Sequence, residues 1–171
     1  MRDRRVEIRR NAKEAFEEHI LNTVSHDDKG KPYAWVCTRP GTVVYRFWVM
    51  EGPGCIVQWG DVGGLVITQG PSYRLTWLEG AMGSMDYVLG KSTSSRTEFV
   101  PEMFQTYVQE HEPGFQFTSD GDELDLMHYQ ETTGDIEAGT CSRDWSADVL
   151  WAYCALEKFV VLLRKSRSEI T

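Results

Sequence analysis

Residues 55–70 read CIVQWGDVGGLVITQG, two short apolar runs on either side of a turn that holds three glycines and one aspartate. A glycine-rich turn after a strand can cradle a phosphate group, but the known motifs of that kind open a helix. Here the residues after the turn alternate and are β-branched, as in a strand. We therefore predict a hairpin of two antiparallel strands, in which Asp61 accepts backbone hydrogen bonds within its own turn.

The same strand pattern continues on the N-terminal side of this hairpin. Residues 33–38 (YAWVCT) and 42–50 (TVVYRFWVM) are separated by RPG, and EGPG leads into residue 55. Turns this short join antiparallel neighbours, so the chain is predicted to form a meander of four strands, with residues 96–100 (RTEFV) as a short added strand.

Helical patterns flank the meander. Residues 3–24, 72–82, 84–91 and 101–112 are predicted helices, and residues 114–143 are predicted to form a long loop or a short hairpin. A final helix is predicted from Asp144, its cap, to residue 167. Its apolar stripe comprises Trp145, Val149, Ala152, Leu156, Phe159, Val160 and Leu163. The predicted fold class is α+β: an antiparallel meander sheet of about four or five strands packed with N-terminal and C-terminal helices, in one domain over residues 1–171.

Charge is distributed unevenly along the chain, whose formal net charge is −8. Basic residues crowd the N-terminus, whereas no Lys or Arg lies between Arg96 and Arg143. That interval is either a solvated face or a surface that meets a positively charged partner. The candidate partner-binding residues are Asp120, Asp122, Glu123, Asp125, Glu131, Asp135 and Glu137.

Several chemistries lack their motifs. A calcium loop starting at Asp120 would place Leu124 at a ligand position and Asp125 at the glycine position, and neither a GxSxG elbow nor an SxxK motif is present. The chain has no CxxC pair, so free thiols are predicted, three of them in the core; chemical roles for Cys141 and His128 stay open. We predict no catalytic residue, metal or cofactor, and we favour binding over catalysis.

The N-terminal sequence has no signal-peptide core and no apolar run could cross a bilayer, so a cytoplasmic protein without membrane contact is expected. Direct binding of nucleic acid is disfavoured by the acidic charge of the chain, although Arg5 and Arg9 on the first helix could contact phosphates.

Residues 40–155 resemble a group of phage and prophage hypothetical proteins. The shared features are an aromatic hairpin, a GDxG turn (Gly60, Asp61 and Gly63), a segment similar to LxGK that here reads LGK (Leu89, Gly90 and Lys91), and an aromatic C-terminal helix around residues 145–153. The resemblance implies a small cytoplasmic protein that a mobile element makes in a bacterial host cell.

Together these features give one hypothesis and three alternatives. The hypothesis is a protein that binds and inhibits a host protein with a basic surface, a nucleic-acid-directed defence complex of the kind targeted by anti-CRISPR or anti-restriction proteins. The alternatives are a nucleotide-signal sponge or other small-molecule binder, a small enzyme with an unrecognised site, and, for the apolar face of the last helix, a homodimer. The small-molecule pocket would use Trp59, Asp61, Arg74, Lys91 and Arg96.

Overall fold

The computed structural model describes residues 4–68, 74–94 and 96–169. Contacts divide the chain into two compact units. Met1–Ser95 together with Ala147–Thr171 form the first, here called the sheet unit, and Arg96–Ser146 form the second, called the acidic unit. The single domain predicted from chain length stays a prediction, because contacts within each unit do not decide whether the units fold independently.

The sheet unit contains one five-stranded antiparallel sheet with the strands in chain order. They are β1 (Ile20–His26), β2 (Pro32–Thr38), β3 (Phe47–Gly52), β4 (Cys55–Gly60) and β5 (Leu65–Ile67). Alternate residues point to one buried face, among them Trp35, Cys37, Phe47, Val49 and Ile56. The predicted α+β fold with an antiparallel meander and terminal helices is confirmed.

The remaining elements of the described chain are mainly helices. They are α1 (Arg4–Ala15), α2 (Leu75–Ala81), α3 (Met85–Leu89), β6 (Thr97–Phe99), α4 (Pro101–His111), α5 (Glu123–Thr133), α6 (Glu137–Cys141), β7 (Arg143–Trp145) and α7 (Ala147–Ser168). Within the described residues, none of these helices combines the length and hydropathy that crossing a membrane requires.

The predicted first helix is too long. It ends at Ala15, and residues 20–26 form β1, which pairs with β2 from Ile20 opposite Thr38 to His26 opposite Pro32. The apolar residues of this segment continue a helical spacing past Ala15, which suggested a helix. Pairing with β2 decides the outcome, and that contact is not visible in the local pattern.

The hairpin at residues 55–67 is confirmed, since β4 and β5 pair antiparallel with Gln58 opposite Leu65. Gly63 has φ +87°, and a Cβ there would lie 2.9 Å from the carbonyl oxygen of Asp148 in the first turn of α7. Glycine is therefore needed both for the backbone conformation and for the close approach of the helix.

Asp61 acts outside its own turn, contrary to the prediction. Its carboxylate accepts the backbone N–H of Arg46 at 3.1 Å, and its own N–H donates to the carbonyl of Arg46 at 3.0 Å. This pair extends the β3–β4 ladder beyond Phe47 and Gly60 into the connection that follows β2.

The last helix begins three residues later than predicted. Asp144 is not the residue before the helix but lies in β7, where its carboxylate accepts the N–H of Trp145 at 2.8 Å. Trp145 is likewise in β7, outside the helical stripe. The other predicted positions of the stripe are buried in α7: Val149, Ala152, Leu156, Phe159, Val160 and Leu163.

The acidic unit is mostly helical, so the loop or hairpin predicted for residues 114–143 is wrong; α5 and α6 occupy much of it. Its core cluster comprises Phe104, Val108, Leu126, Tyr129 and Ala138. The strand predicted at residues 96–100 exists as β6, but it pairs with β7 in a separate two-stranded sheet, and β1 is the fifth strand of the main sheet.

Candidate functional site

The acidic unit is more negatively charged than the protein as a whole. It holds twelve Asp and Glu against two Arg, a formal charge of −10, whereas the rest of the chain holds fourteen acidic and sixteen basic residues, a charge of +2. A field of one sign over one unit is the main electrostatic feature that the fold presents. The position of each carboxylate decides which of them contribute to a surface.

Asp125 is one of the predicted partner-binding residues, but its side chain is buried and is not part of an exposed acidic surface. Its Oδ1 accepts the backbone N–H and the hydroxyl of Thr118, both at 2.7 Å, and its Oδ2 accepts the N–H groups of Ser119 and Gly121, both at 3.0 Å. Burial alone would raise the pKa of Asp125, but these hydrogen bonds together lower it. The ionised carboxylate holds residues 118–121 against the start of α5.

Asp122 also serves the local fold. Its Oδ1 accepts the N–H groups of Leu124 at 2.9 Å and Asp125 at 3.1 Å, which makes it the N-cap of α5. The helix ends at Gly134 in the left-handed conformation, with φ +75°. The side chain of Asp120, just before the cap, is exposed.

The side chain of Asp135 links α4 to the start of α6. It accepts the hydroxyl of Tyr107 on α4 at 2.7 Å and the N–H of Glu137 at 3.0 Å. The Tyr107 hydrogen bond is the largest cause that holds the pKa of Asp135 below its usual range. The same bond raises the pKa of Tyr107, so the phenol keeps its proton and donates a hydrogen bond to the carboxylate.

The glutamates differ from these aspartates, because their side chains face solvent. Glu123 lies 3.5 Å from the guanidinium of Arg143. Five others are exposed and form no ion pair within the described part of the chain: Glu102, Glu110, Glu112, Glu131 and Glu137. Sequence reasoning left the first three out of the candidate set, although α4 has a clear buried face at Phe104 and Val108 that indicates which residues point outward.

The five residues of the alternative pocket have different surroundings in the described chain. Trp59 is 41% exposed and stacks on its cross-strand neighbour Trp48. The ammonium of Lys91 lies 5.6 Å from the centre of the Tyr87 ring. Asp61 is bound to the Arg46 backbone as described above, and Arg96 belongs to the acidic unit, where its carbonyl accepts the N–H of Ser146.

Arg74, by contrast, lines a cleft of about 510 Å³ in the sheet unit. Lys31 and Glu51 lie beside it and form an ion pair at 3.3 Å, and Trp35 contributes an aromatic wall. Glu51 also accepts the backbone N–H of Leu75. The cleft is mixed in character, apolar on one side and cationic on the other.

The thiols and imidazoles form no metal site: within the described residues no three His, Cys, Asp or Glu lie together in a way that could hold a metal ion. Cys37 and Cys154 are buried as predicted, and burial raises the pKa of each to about 12, so neither is a ready nucleophile. Cys141 is exposed and Cys55 half-buried.

Comparison with protein-family models, with curated proteins and with solved structures finds no match. The function must therefore be argued from the chemistry of the two candidate regions. One region presents exposed carboxylates on short helices, and the other is a small cleft lined by apolar side chains, Arg74 and the ion pair of Lys31 with Glu51.

Proposed function

We propose that this protein is an inhibitor that binds another protein through the exposed carboxylates of its acidic unit. The proposed partner carries a basic surface that otherwise holds nucleic acid. The observation that supports this proposal is the set of five solvent-facing glutamates that form no ion pair with any residue the structure describes, on a unit of charge −10. Carboxylates that are not neutralised within their own chain are available to steer and pair with a cationic partner.

The origin of the protein is part of the same proposal. We propose that it comes from a phage or prophage and acts in the cytoplasm of a bacterial host, where its partner is a nucleic-acid-directed defence complex. Such complexes bind nucleic acid through channels lined by Arg and Lys, and an acidic unit can compete for those side chains. The support for this finer statement is the sequence resemblance and the charge of the acidic unit.

The test is inhibition of purified defence nucleases. A panel of RNA-guided nucleases and restriction endonucleases is assayed for DNA cleavage with and without the protein, and association is followed by surface plasmon resonance at increasing salt. We expect inhibition of at least one nuclease and association that slows as salt rises, because exposed charges are screened beyond about 8–10 Å at physiological ionic strength.

A pair of charge-matched variants identifies the surface. The test variant replaces Glu110, Glu131 and Glu137 by Gln. The control makes the same change in charge on exposed residues of the sheet unit: Glu14→Gln, Glu17→Gln and Asp28→Asn. The test variant should associate about tenfold more slowly and the control should behave like wild type. Equal behaviour of the two variants contradicts the proposal.

A second candidate function is supported by the cleft around Arg74. Its volume falls in the range of roughly 300–1,000 Å³ typical of small-molecule sites. The aromatic wall and the cations Lys31 and Arg74 suit an anionic ligand with an apolar or aromatic part, such as a nucleotide. Thermal unfolding with a panel of nucleotides tests it: a stabilisation that Arg74→Gln abolishes supports a ligand site, and no shift with any nucleotide opposes it.

A further inference from the structure

The outward face of α5 exposes large apolar side chains. Leu124 is 67% and Met127 57% exposed, and both lie on the side of the helix opposite the buried Asp125, Leu126 and Tyr129. With a spacing of three residues they are neighbours on the helix surface. Scattered exposed apolar residues are ordinary, but two adjacent ones on a face that the protein itself leaves uncovered suit a contact surface.

Acidic side chains surround this apolar pair. Glu123 precedes Leu124, and Glu131 lies four residues after Met127 on the same exposed side. Glu123 is partly neutralised by Arg143, whereas Glu131 forms no ion pair within the described residues. The face thus has an apolar centre and a negative rim, which is the arrangement of a protein interface rather than of a solvated helix.

A shallow groove of about 650 Å³ borders the same face. His128, which follows Met127, lines it together with Phe115 and Glu112 from the connection before α5. The ring of Phe115 packs edge-on against Tyr129 of the core with the centroids 5.1 Å apart, so this wall is fixed. A side chain with an apolar stem and a cationic end fits such a groove, because the stem contacts Phe115 and the charge meets Glu112.

We propose that the outward face of α5, with Leu124 and Met127 at its centre, is the docking surface for a basic amphipathic segment of the partner protein. The segment carries apolar side chains interspersed with Lys or Arg. Charge complementarity selects this occupant over a second copy of the chain, since two acidic units would bring together two charges of −10. The inference rests on the proposed function and adds that binding is apolar as well as electrostatic.

The experiment uses two synthetic peptides as probes, both with the same number of lysines. One peptide has leucines at positions i, i+3, i+4 and i+7, and the other has serines there. Binding to the full chain is measured by fluorescence anisotropy. We expect the leucine peptide to bind about tenfold more tightly, or better, because burying one large apolar side chain accounts for that ratio.

The variant Leu124→Ser with Met127→Ser should lose this preference and keep the weaker binding of the serine peptide. Val161→Ser is the matched control, because Val161 is 58% exposed on α7 of the sheet unit. All variants should unfold at the wild-type temperature, since the replaced side chains are largely in solvent. Retention of the leucine preference in the double variant overturns the inference.

The remaining outcomes separate this inference from the proposed function. If wild type binds both peptides equally and salt weakens both, the apolar docking surface is wrong while the acidic surface stands. If neither peptide binds, both proposals fail. Self-association in sedimentation velocity that the double variant abolishes would make the face an interface between copies, which also overturns a basic partner segment.

Discussion

In the sheet unit the buried face of β2 to β5 and the buried side of α7 provide an extended apolar core, and its largest fully buried side chains include Phe16, Phe47 and Phe159. In the acidic unit the core is a small aromatic cluster around Phe104, and the buried carboxylate of Asp125 adjoins it. The acidic residues of the second unit are therefore not equivalent. Asp122, Asp125 and Asp135 bind its backbone, whereas the glutamates face solvent and supply most of the charge available to a partner.

The strongest test of this difference between the aspartates and the glutamates is to remove the buried carboxylate of Asp125. Asp125→Ala should lower the free energy of unfolding by about 3 kcal/mol or more, because several charge-assisted hydrogen bonds are lost and buried N–H groups are left without acceptors. Urea unfolding measures the loss, and hydrogen exchange in α5 localises it. Asp125→Asn, which keeps one oxygen, should lose less stability, and Glu131→Gln should lose almost none. Similar losses of stability for the variants at residues 125 and 131 would contradict the distinction between buried aspartates and exposed glutamates.

Acid should affect the two units over different pH ranges. His19 is buried in the sheet unit, and its Nε2 donates to the carbonyl of Tyr45 at 3.0 Å. Burial is the largest cause that lowers the pKa of His19, so the unfolded chain takes up its proton first, near the ordinary value of about 6.5. The unfolded state then binds more protons, and the stability of the sheet unit falls as pH drops below that value.

In the acidic unit the lowered pKa values belong to Asp125 and Asp135, whose contributions are complete above the ordinary aspartate pKa of about 4 and are lost only below it. Urea unfolding between pH 8 and 5 tests the difference. His19→Phe should flatten the pH dependence, and His26→Gln, at an exposed position, should leave it unchanged. A slope that persists in His19→Phe would assign the effect to other groups.

A smaller effect is expected at the helix cap. Asp122→Ala should destabilise the acidic unit by about 1 kcal/mol, as is typical for the loss of an N-cap side chain. Asp122→Ser, which keeps a capping oxygen, should recover most of the difference in urea unfolding. Failure of the serine variant to recover stability would indicate that the charge of Asp122, and not its capping, stabilises α5.

The smallest effect should come from the glutamates. Replacing Glu110, Glu131 and Glu137 by Gln should change the free energy of unfolding by no more than about 0.5 kcal/mol, and in the stabilising direction, because like charges are removed from one unit. Thermal unfolding at low salt checks this expectation. A marked destabilisation would show that these side chains also hold the fold, contrary to their exposure.

The elements that could be predicted from the sequence are those with local signals. The β4–β5 hairpin follows from its glycines and alternation, and α4 from Pro101 at its first turn and its regular apolar spacing. β1 could not be distinguished from the end of a helix, because only its pairing with β2 determines it. Helix α5 was missed since its buried face includes the charged Asp125, although Asp122 and Gly134 were usable end signals.

The candidate site was predicted only as a region. That residues 98–137 are acidic is evident from the sequence, but which carboxylates face solvent depends on where α4 and α5 begin. Asp125 reaches its donors at residues 118–121 only because the chain turns back before the helix. Once that turn is known, the four hydrogen bonds of Asp125 and the exposure of Glu131 on the other side of α5 follow from helical geometry.

The order of the elements along the chain has a consequence for synthesis on the ribosome. Helix α7 covers the inner face of the sheet, yet it follows the acidic unit in the chain. At about 5–20 residues per second, translation of the acidic unit and of α7 takes on the order of several seconds after β5 is complete. During that interval the apolar side chains of the strands lack the helix that covers them in the folded chain. Until α7 packs on it, the sheet of the nascent chain can bind chaperones or misassemble. The packing of the last helix ends this exposure.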